Sequence, residues 1–174
     1  PEEPVIEQRS ADVYEKYTKE DFLSQVFMPM ELLDQLLGLL KRKKNVILKG
    51  PPGVGKTFTS KRLSYVMMGE KDTSRITSVQ FHQNYSYEDF IMGYKPEGNE
   101  FKLQTGIFYD FCEKARKDPD RSYFFIIDEI NRGNLSKIFG ELLQLIEADY
   151  RNEEVMLAYN HEPFSVPENL YVIG

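Results

Sequence analysis

The stretch Gly50 to Thr57, GPPGVGKT, matches the pattern G-x-x-x-x-G-K-[ST] in full and constrains the chain more than any other feature. Its glycines let the backbone curl so that successive N–H groups face phosphate oxygens, and a following helix adds its positive N-terminal end. The lysine, Lys56, would reach the β- and γ-phosphates, and the Thr57 hydroxyl would hold Mg²⁺. A glycine-rich turn with an accidental lysine would lack the flanking elements such a motif requires. Here Val46-Ile47-Leu48 is a short apolar run before the loop, and a helix is expected from about Lys56 to Met68, stopping at Gly69. The predicted nucleotide-binding residues are Gly50, Pro51, Pro52, Gly53, Val54, Gly55, Lys56, Thr57 and Phe58.

A second signal stands at YFFIIDEINRGN. Tyr123 to Ile127 is the most apolar strand candidate, and it delivers Asp128 and Glu129 at its C-terminal end, where open α/β sheets place their ligands. Asp128 is expected to serve the metal together with Thr57, and Glu129 to act as base on a water in line with the γ-phosphate. A kinase draws its nucleophile from a second substrate and has less need of such a glutamate. The pair therefore points to hydrolysis.

Around these motifs, strands alternate with helices, which calls for a parallel sheet covered on both faces. Thr18 with Asp21 resembles a capping box for a short helix through Phe27. Pro29 then opens a helix whose Leu32, Leu33, Leu36, Leu37 and Leu40 repeat at helical spacing. Its end, Lys41-Arg42-Lys43-Lys44, is assigned to the helix C-terminus, where the dipole favours cations, in preference to nucleic-acid binding. Ile76 to Phe81 is a second strand, Ser86 with Asp89 caps a turn of helix, and Pro96-Glu97-Gly98-Asn99 turns a hairpin. Helices are expected over Ile107 to Lys117 and Leu135 to Ala148, a second hairpin over Val155–Tyr159 and Phe164–Val166, and a last strand over Leu170 to Ile173.

Composition narrows the class. A chain of 174 residues is one domain by length, and its net charge of −6 gives no overall attraction for nucleic acid. One cysteine, Cys112, excludes an internal disulfide, suits a reducing compartment, and falls on an apolar helix face rather than at a reactive site. No apolar run is long enough to span a membrane. Residues 1–16, with prolines at 1 and 4, are expected to be a linker remnant, and residues 17–174 the folded core.

GPPGVGKT with IIDEIN resembles an AAA+ ATPase core. The strings VQFHQNYSYEDFIMGYKP, GIFYDFCEKA, IIDEINRGNLSKIFGELLQLIE and FSVPENLYVIG resemble, more narrowly, the McrB family. The resemblance runs from about Tyr17 to Gly174 and implies a P-loop NTPase with a three-layer αβα core and a parallel central sheet. It implies a GTP-hydrolysing, Mg²⁺-dependent motor of modification-dependent restriction systems, assembled as a ring, expected to be a hexamer, and found in the prokaryotic cytoplasm. A McrC-type partner tied to a nuclease and a separate N-terminal DNA-reading domain are implied with it. It also implies that a polar residue ending the second strand restrains the catalytic glutamate, with Asn84 preferred over His82 and Gln83, and that Asn131 and Arg132 lie near the subunit boundary. Because the family continues past Gly174 into a polar sensor, an arginine finger and a helical lid, the expectation is a core truncated before these parts. That leaves the chain weakly active by itself. Nothing in the sequence favours guanine over adenine on physical grounds, so ATP stays open as the nucleotide. An ATP-dependent remodeller of proteins is the alternative reading, as is a module that binds nucleotide and hydrolyses little.

Overall fold

The structure, a computed structural model, describes residues 14–51 and 53–174. The expectations for residues 1–13 and for Pro52 lie outside the described residues. Helix α1 (Lys19–Gln25) opens with the capping box its sequence calls for: Thr18 accepts from the Asp21 amide, and Asp21 accepts from the Thr18 amide at 2.8 Å. Helix α2 (Met30–Lys43) follows with Pro29 at its N-cap. Leu33, Leu37 and Leu40 form its buried stripe. Leu36 is half-buried, and Leu32, expected on that face, is exposed, because the five leucines span a wider arc than one packed face accepts. At its end Lys44 adopts a left-handed conformation, pairs with Glu168 at 2.8 Å and lies over the Tyr171 ring. The cations there are part of the helix terminus.

Strand β1 (Asn45–Val46) leads into the glycine-rich loop and helix α3 (Lys56–Met68), which Gly69 closes at φ 76°. The remaining elements are β2 (Ile76–Gln80), α4 (Tyr87–Phe90), the hairpin β3 (Met92–Glu97) and β4 (Glu100–Thr105), α5 (Ile107–Arg116), β5 (Tyr123–Asp128), α6 (Leu135–Phe139), the small hairpin β6 (Val155–Met156) and β7 (Pro163–Phe164), and β8 (Leu170–Ile173). The four main strands lie in the order β1-β8-β5-β2, all parallel.

Alternation along the central strands assigns the two faces. Phe124 and Ile126 of β5, with Tyr171 and Ile173 of β8, pack with α1, α2 and α3 in one cluster. Tyr123, Phe125 and Ile127, with Leu170 and Val172, pack with α4, α5 and α6 in the other. The two central strands, β5 and β8, are buried on both sides, as a parallel sheet between two helical layers demands. Cys112 is fully buried on α5, and desolvation pushes its thiol far above the ordinary range. Tyr85 and Tyr87 pack into this second layer, whereas Tyr94 is largely exposed with an edge contact to Tyr159. Among the described residues no helix is long and apolar enough to cross a membrane.

One expectation fails outright. The helix expected over Leu135 to Ala148 stops at Phe139 and continues as 3-10 turns over Gly140–Ile146 and Ala148–Tyr150. Gly140 has φ 54° and ψ −130°, a conformation that side chains exclude, and a Cβ there would meet the Tyr87 ring at 3.0 Å. Glu141 is drawn to the Tyr87 hydroxyl at 2.7 Å and the Ala158 amide at 3.1 Å. Tertiary partners thus override local helix propensity. The second hairpin is also shorter than expected, closing after Val155–Met156 and Pro163–Phe164.

Candidate functional site

The parallel register brings the C-terminal ends of the strands to one edge. Gln80 pairs with Asp128, Ile126 with Ile173, and the Leu48 amide donates to the Gly174 carbonyl at 2.7 Å. At this edge the glycine-rich loop turns from β1 into α3. Gly53 and Gly55 have φ of 81° and 80°, the left-handed turns the motif needs. The Lys56 ammonium donates to the carbonyls of Gly50 and Pro51, each at 3.0 Å, so it lies over the curl of the loop. Ser60, which the sequence gave no reason to single out, is buried and donates its hydroxyl to the Lys56 carbonyl at 2.9 Å.

Across from the loop, β5 ends in the acidic pair. The Thr57 hydroxyl lies 2.6 and 2.8 Å from the two oxygens of Asp128, bringing together residues 71 positions apart. These are hard oxygen donors on facing elements, the type Mg²⁺ accepts when phosphates and water complete its octahedron. Among the described residues no group of three or more His, Cys, Asp or Glu could hold a metal by itself. Magnesium therefore fits at Thr57 and Asp128.

Glu129 takes a left-handed conformation, φ 52° and ψ 40°, which costs a non-glycine residue about 1–2 kcal/mol. Backbone strain of this kind gathers at functional sites because the surroundings must over-determine it. Lys56, Asp128 and Glu129 line one cavity of about 550 Å³. The carboxylate of Glu129 accepts from Arg132 Nε at 2.9 Å. Asn84 lies with His82, Gln83, Asn131 and Arg132 along a neighbouring groove, and its amide N–H donates to His82 Nδ1 at 3.3 Å. The hydrogen bond on Glu129 thus comes from Arg132, three residues on, and not from Asn84. A carboxylate followed by an arginine at i+3 just past a strand end was the signal for it.

Val54 and Phe58 are exposed on the outer side of the loop. The Arg62 guanidinium lies 3.3 Å from the centroid of the Phe58 ring, and Arg62 Nε donates to Gln25 Oε1 at 3.1 Å. Neither Arg62 nor Gln25 stood out in the sequence, because the contact between α1 and α3 is made only in the fold.

Comparison with known proteins agrees with this geometry. The family model described as AAA domain (dynein-related subfamily) matches residues 45–174. The chain is 53% identical over 165 residues to the Type IV methyl-directed restriction enzyme EcoKMcrB subunit of Escherichia coli (strain K12), covering 92% of this chain and 36% of that protein. It is 28% identical over 159 residues to the Type II restriction enzyme BsuMI component YdiS of Bacillus subtilis (strain 168), covering 69% of this chain and 46% of that protein. The chain thus spans between a third and a half of the length of these relatives. The family match over most of the chain, the parallel β1-β8-β5-β2 sheet and the glycine-rich loop facing Asp128 agree: the chain belongs to the dynein-related subfamily of AAA domains, and its sequence is McrB-like.

Proposed function

We propose that this chain is the GTP-binding and GTP-hydrolysing core of a McrB-like motor in a modification-dependent DNA restriction system. The observation that carries the reading is the meeting of Thr57 and Asp128 at 2.6 Å, in a site whose cavity Lys56 and Glu129 also line. Gly50 to Phe58 hold the nucleotide, with Lys56 on the β- and γ-phosphates. Thr57 and Asp128 would hold Mg²⁺, which neutralises charge developing on the phosphates. Glu129 orients and deprotonates the attacking water, and Asn84 and Arg132 border it. In this reading the motor is a cytoplasmic ring, a hexamer, that works with a McrC-like subunit and reaches DNA through a separate domain; that both relatives are named as parts of restriction enzymes supports the restriction role.

The test is binding of GTP and ATP, each with Mg²⁺, by the purified chain and by Lys56→Ala. Lys56→Ala should weaken binding by about 1.5–3 kcal/mol, the range for hydrogen bonds to charged groups. Equal binding by both proteins removes the phosphate-site reading. A preference for ATP removes the restriction-GTPase reading and leaves an AAA nucleotide site.

A further inference from the structure

Exposed apolar side chains are common on any surface, but two of them here belong to the loop and the turn that follows it, and a third stands near a residue tied to that helix. Val54 lies within the loop, Phe58 follows it on the first turn of α3, and Phe27 stands two residues beyond Gln25, which Arg62 ties to α3. A Cβ placed on Gly55 would come within 3.8 Å of the Phe58 Cβ, so the Phe58 side chain leaves the helix beside the last glycine of the phosphate loop. A nucleotide whose phosphates occupy the loop is tethered to place its base nearby, and an aromatic rim suits a purine face.

The polar group at that rim is Arg62. Its Nε is spent on Gln25 and its Cζ lies over the Phe58 ring, so two contacts hold the guanidinium in place. Among the described residues neither of its terminal nitrogens has a protein hydrogen-bond acceptor. Gln25 Oε1 accepts from both Arg62 and the Tyr17 hydroxyl, at 3.1 Å each, which leaves the Gln25 amide nitrogen facing out as a further donor. The side-chain groups that Arg62 and Gln25 leave free at this rim are donors.

We propose that Arg62, steadied by Phe58 and Gln25, reads the base of the bound nucleotide and selects guanine. Guanine offers two acceptors side by side, O6 and N7, which match a guanidinium fork. Adenine offers N7 beside an amino donor, which opposes a second donor. The inference rests on the proposed nucleotide site and supplies the guanine preference that the glycine-rich loop, reading only phosphates, lacks. Arg62 is a specificity residue and takes no part in the chemistry.

The experiment is competitive binding of GTP, ATP and 7-deaza-GTP, with Mg²⁺, to the wild-type chain, Arg62→Met and Lys56→Ala. Methionine keeps the packing on Phe58 and removes the donors. The wild type should favour GTP over ATP by roughly five- to hundredfold, the range for one bidentate arginine contact to guanine. 7-Deaza-GTP, which lacks the N7 acceptor, should bind the wild type several-fold more weakly than GTP. Arg62→Met should erase both differences while its ATP affinity holds. A GTP-to-ATP ratio unchanged in Arg62→Met overturns the inference, as does wild-type binding that ignores the N7 deletion; the latter needs no variant to fold. Wild-type binding of both nucleotides without preference, lost in Lys56→Ala, defeats the guanine inference and keeps the triphosphate site. Binding no better than Lys56→Ala for either nucleotide defeats both.

Discussion

The two ends of the central sheet use charge in opposite ways. At the end where the strands begin, charged groups are consumed by the fold. Asp72 is fully buried and accepts from Arg75 Nε at 2.6 Å, the Ser74 hydroxyl at 2.6 Å and the Ser74 amide at 2.9 Å. Arg75, also buried, further bonds Glu70 and the Ser122 carbonyl. Asp118 accepts from Arg121 at 2.6 Å and from the Tyr123 hydroxyl at 2.8 Å. Burial and this bond to Asp118 push the Tyr123 phenol up to about 12. Asn169 closes the corner with hydrogen bonds to the carbonyls of Ala115, Asp118 and Arg121. At the end where the strands finish, Lys56, Asp128 and Glu129 line an open cavity, Thr57 meets Asp128 at 2.6 Å, and Glu129 sits on left-handed backbone. One end satisfies its charges to fix the layers. The other holds its charges where a ligand can complete them.

Removing Asp72 should break this contrast most sharply. Asp72→Ala leaves Arg75 buried beside a lost partner, and it should cost about 3–5 kcal/mol of stability by denaturant unfolding. The acid limb follows from the same residue. Burial alone would raise the Asp72 carboxyl, but the Ser74 and Arg75 hydrogen bonds outweigh it and hold the carboxyl below the ordinary value. A depressed folded value means that the stabilisation is complete above the unfolded value of about 3.9 and is lost as pH falls through the folded one. The wild type should therefore lose stability below roughly pH 4, and the Asp72→Ala profile should lack that component.

The open end should respond in the opposite sense. Asp128→Asn should remove the tightening of nucleotide binding by Mg²⁺, a loss of about 1.5–3 kcal/mol judged from hydrogen bonds to charged groups, while the unfolding midpoint moves little. A large fall in stability with Mg²⁺ dependence intact would place Asp128 with the structural charges instead. The smallest effect belongs to a pair remote from both ends. Lys19 and Asp34 meet at 2.5 Å with both side chains about half exposed, and Lys19→Ala should change stability by no more than about 1 kcal/mol.

Much of this was legible in the sequence because it depends on near neighbours. The helix over Lys56–Met68 with its glycine stop, the capping box at Thr18, the N-cap at Ser86, and the last strand at Leu170–Ile173 appear where the pattern put them. The glycine-rich loop and the acidic pair also carried their chemistry openly, since each motif is contiguous. The break at Gly140 was not legible, because it answers to Tyr87 and Ala158 from other elements. The partner of Glu129 was missed although its signal was local: Arg132, three residues on, takes the carboxylate, and Asn84 is brought only to the neighbouring groove.

The sequence by itself determined the kinds of group this protein has to work with: a phosphate-cradling loop, a metal-binding hydroxyl and carboxylate, a candidate base, and strands apolar enough to be buried on both faces. Only the tertiary structure decided which of them meet. The separations of 71 positions between Thr57 and Asp128, and of 37 between Gln25 and Arg62, are bridged by strand order and layer packing. Those depend on how the whole apolar surface is buried at once, and no local pattern encodes that choice.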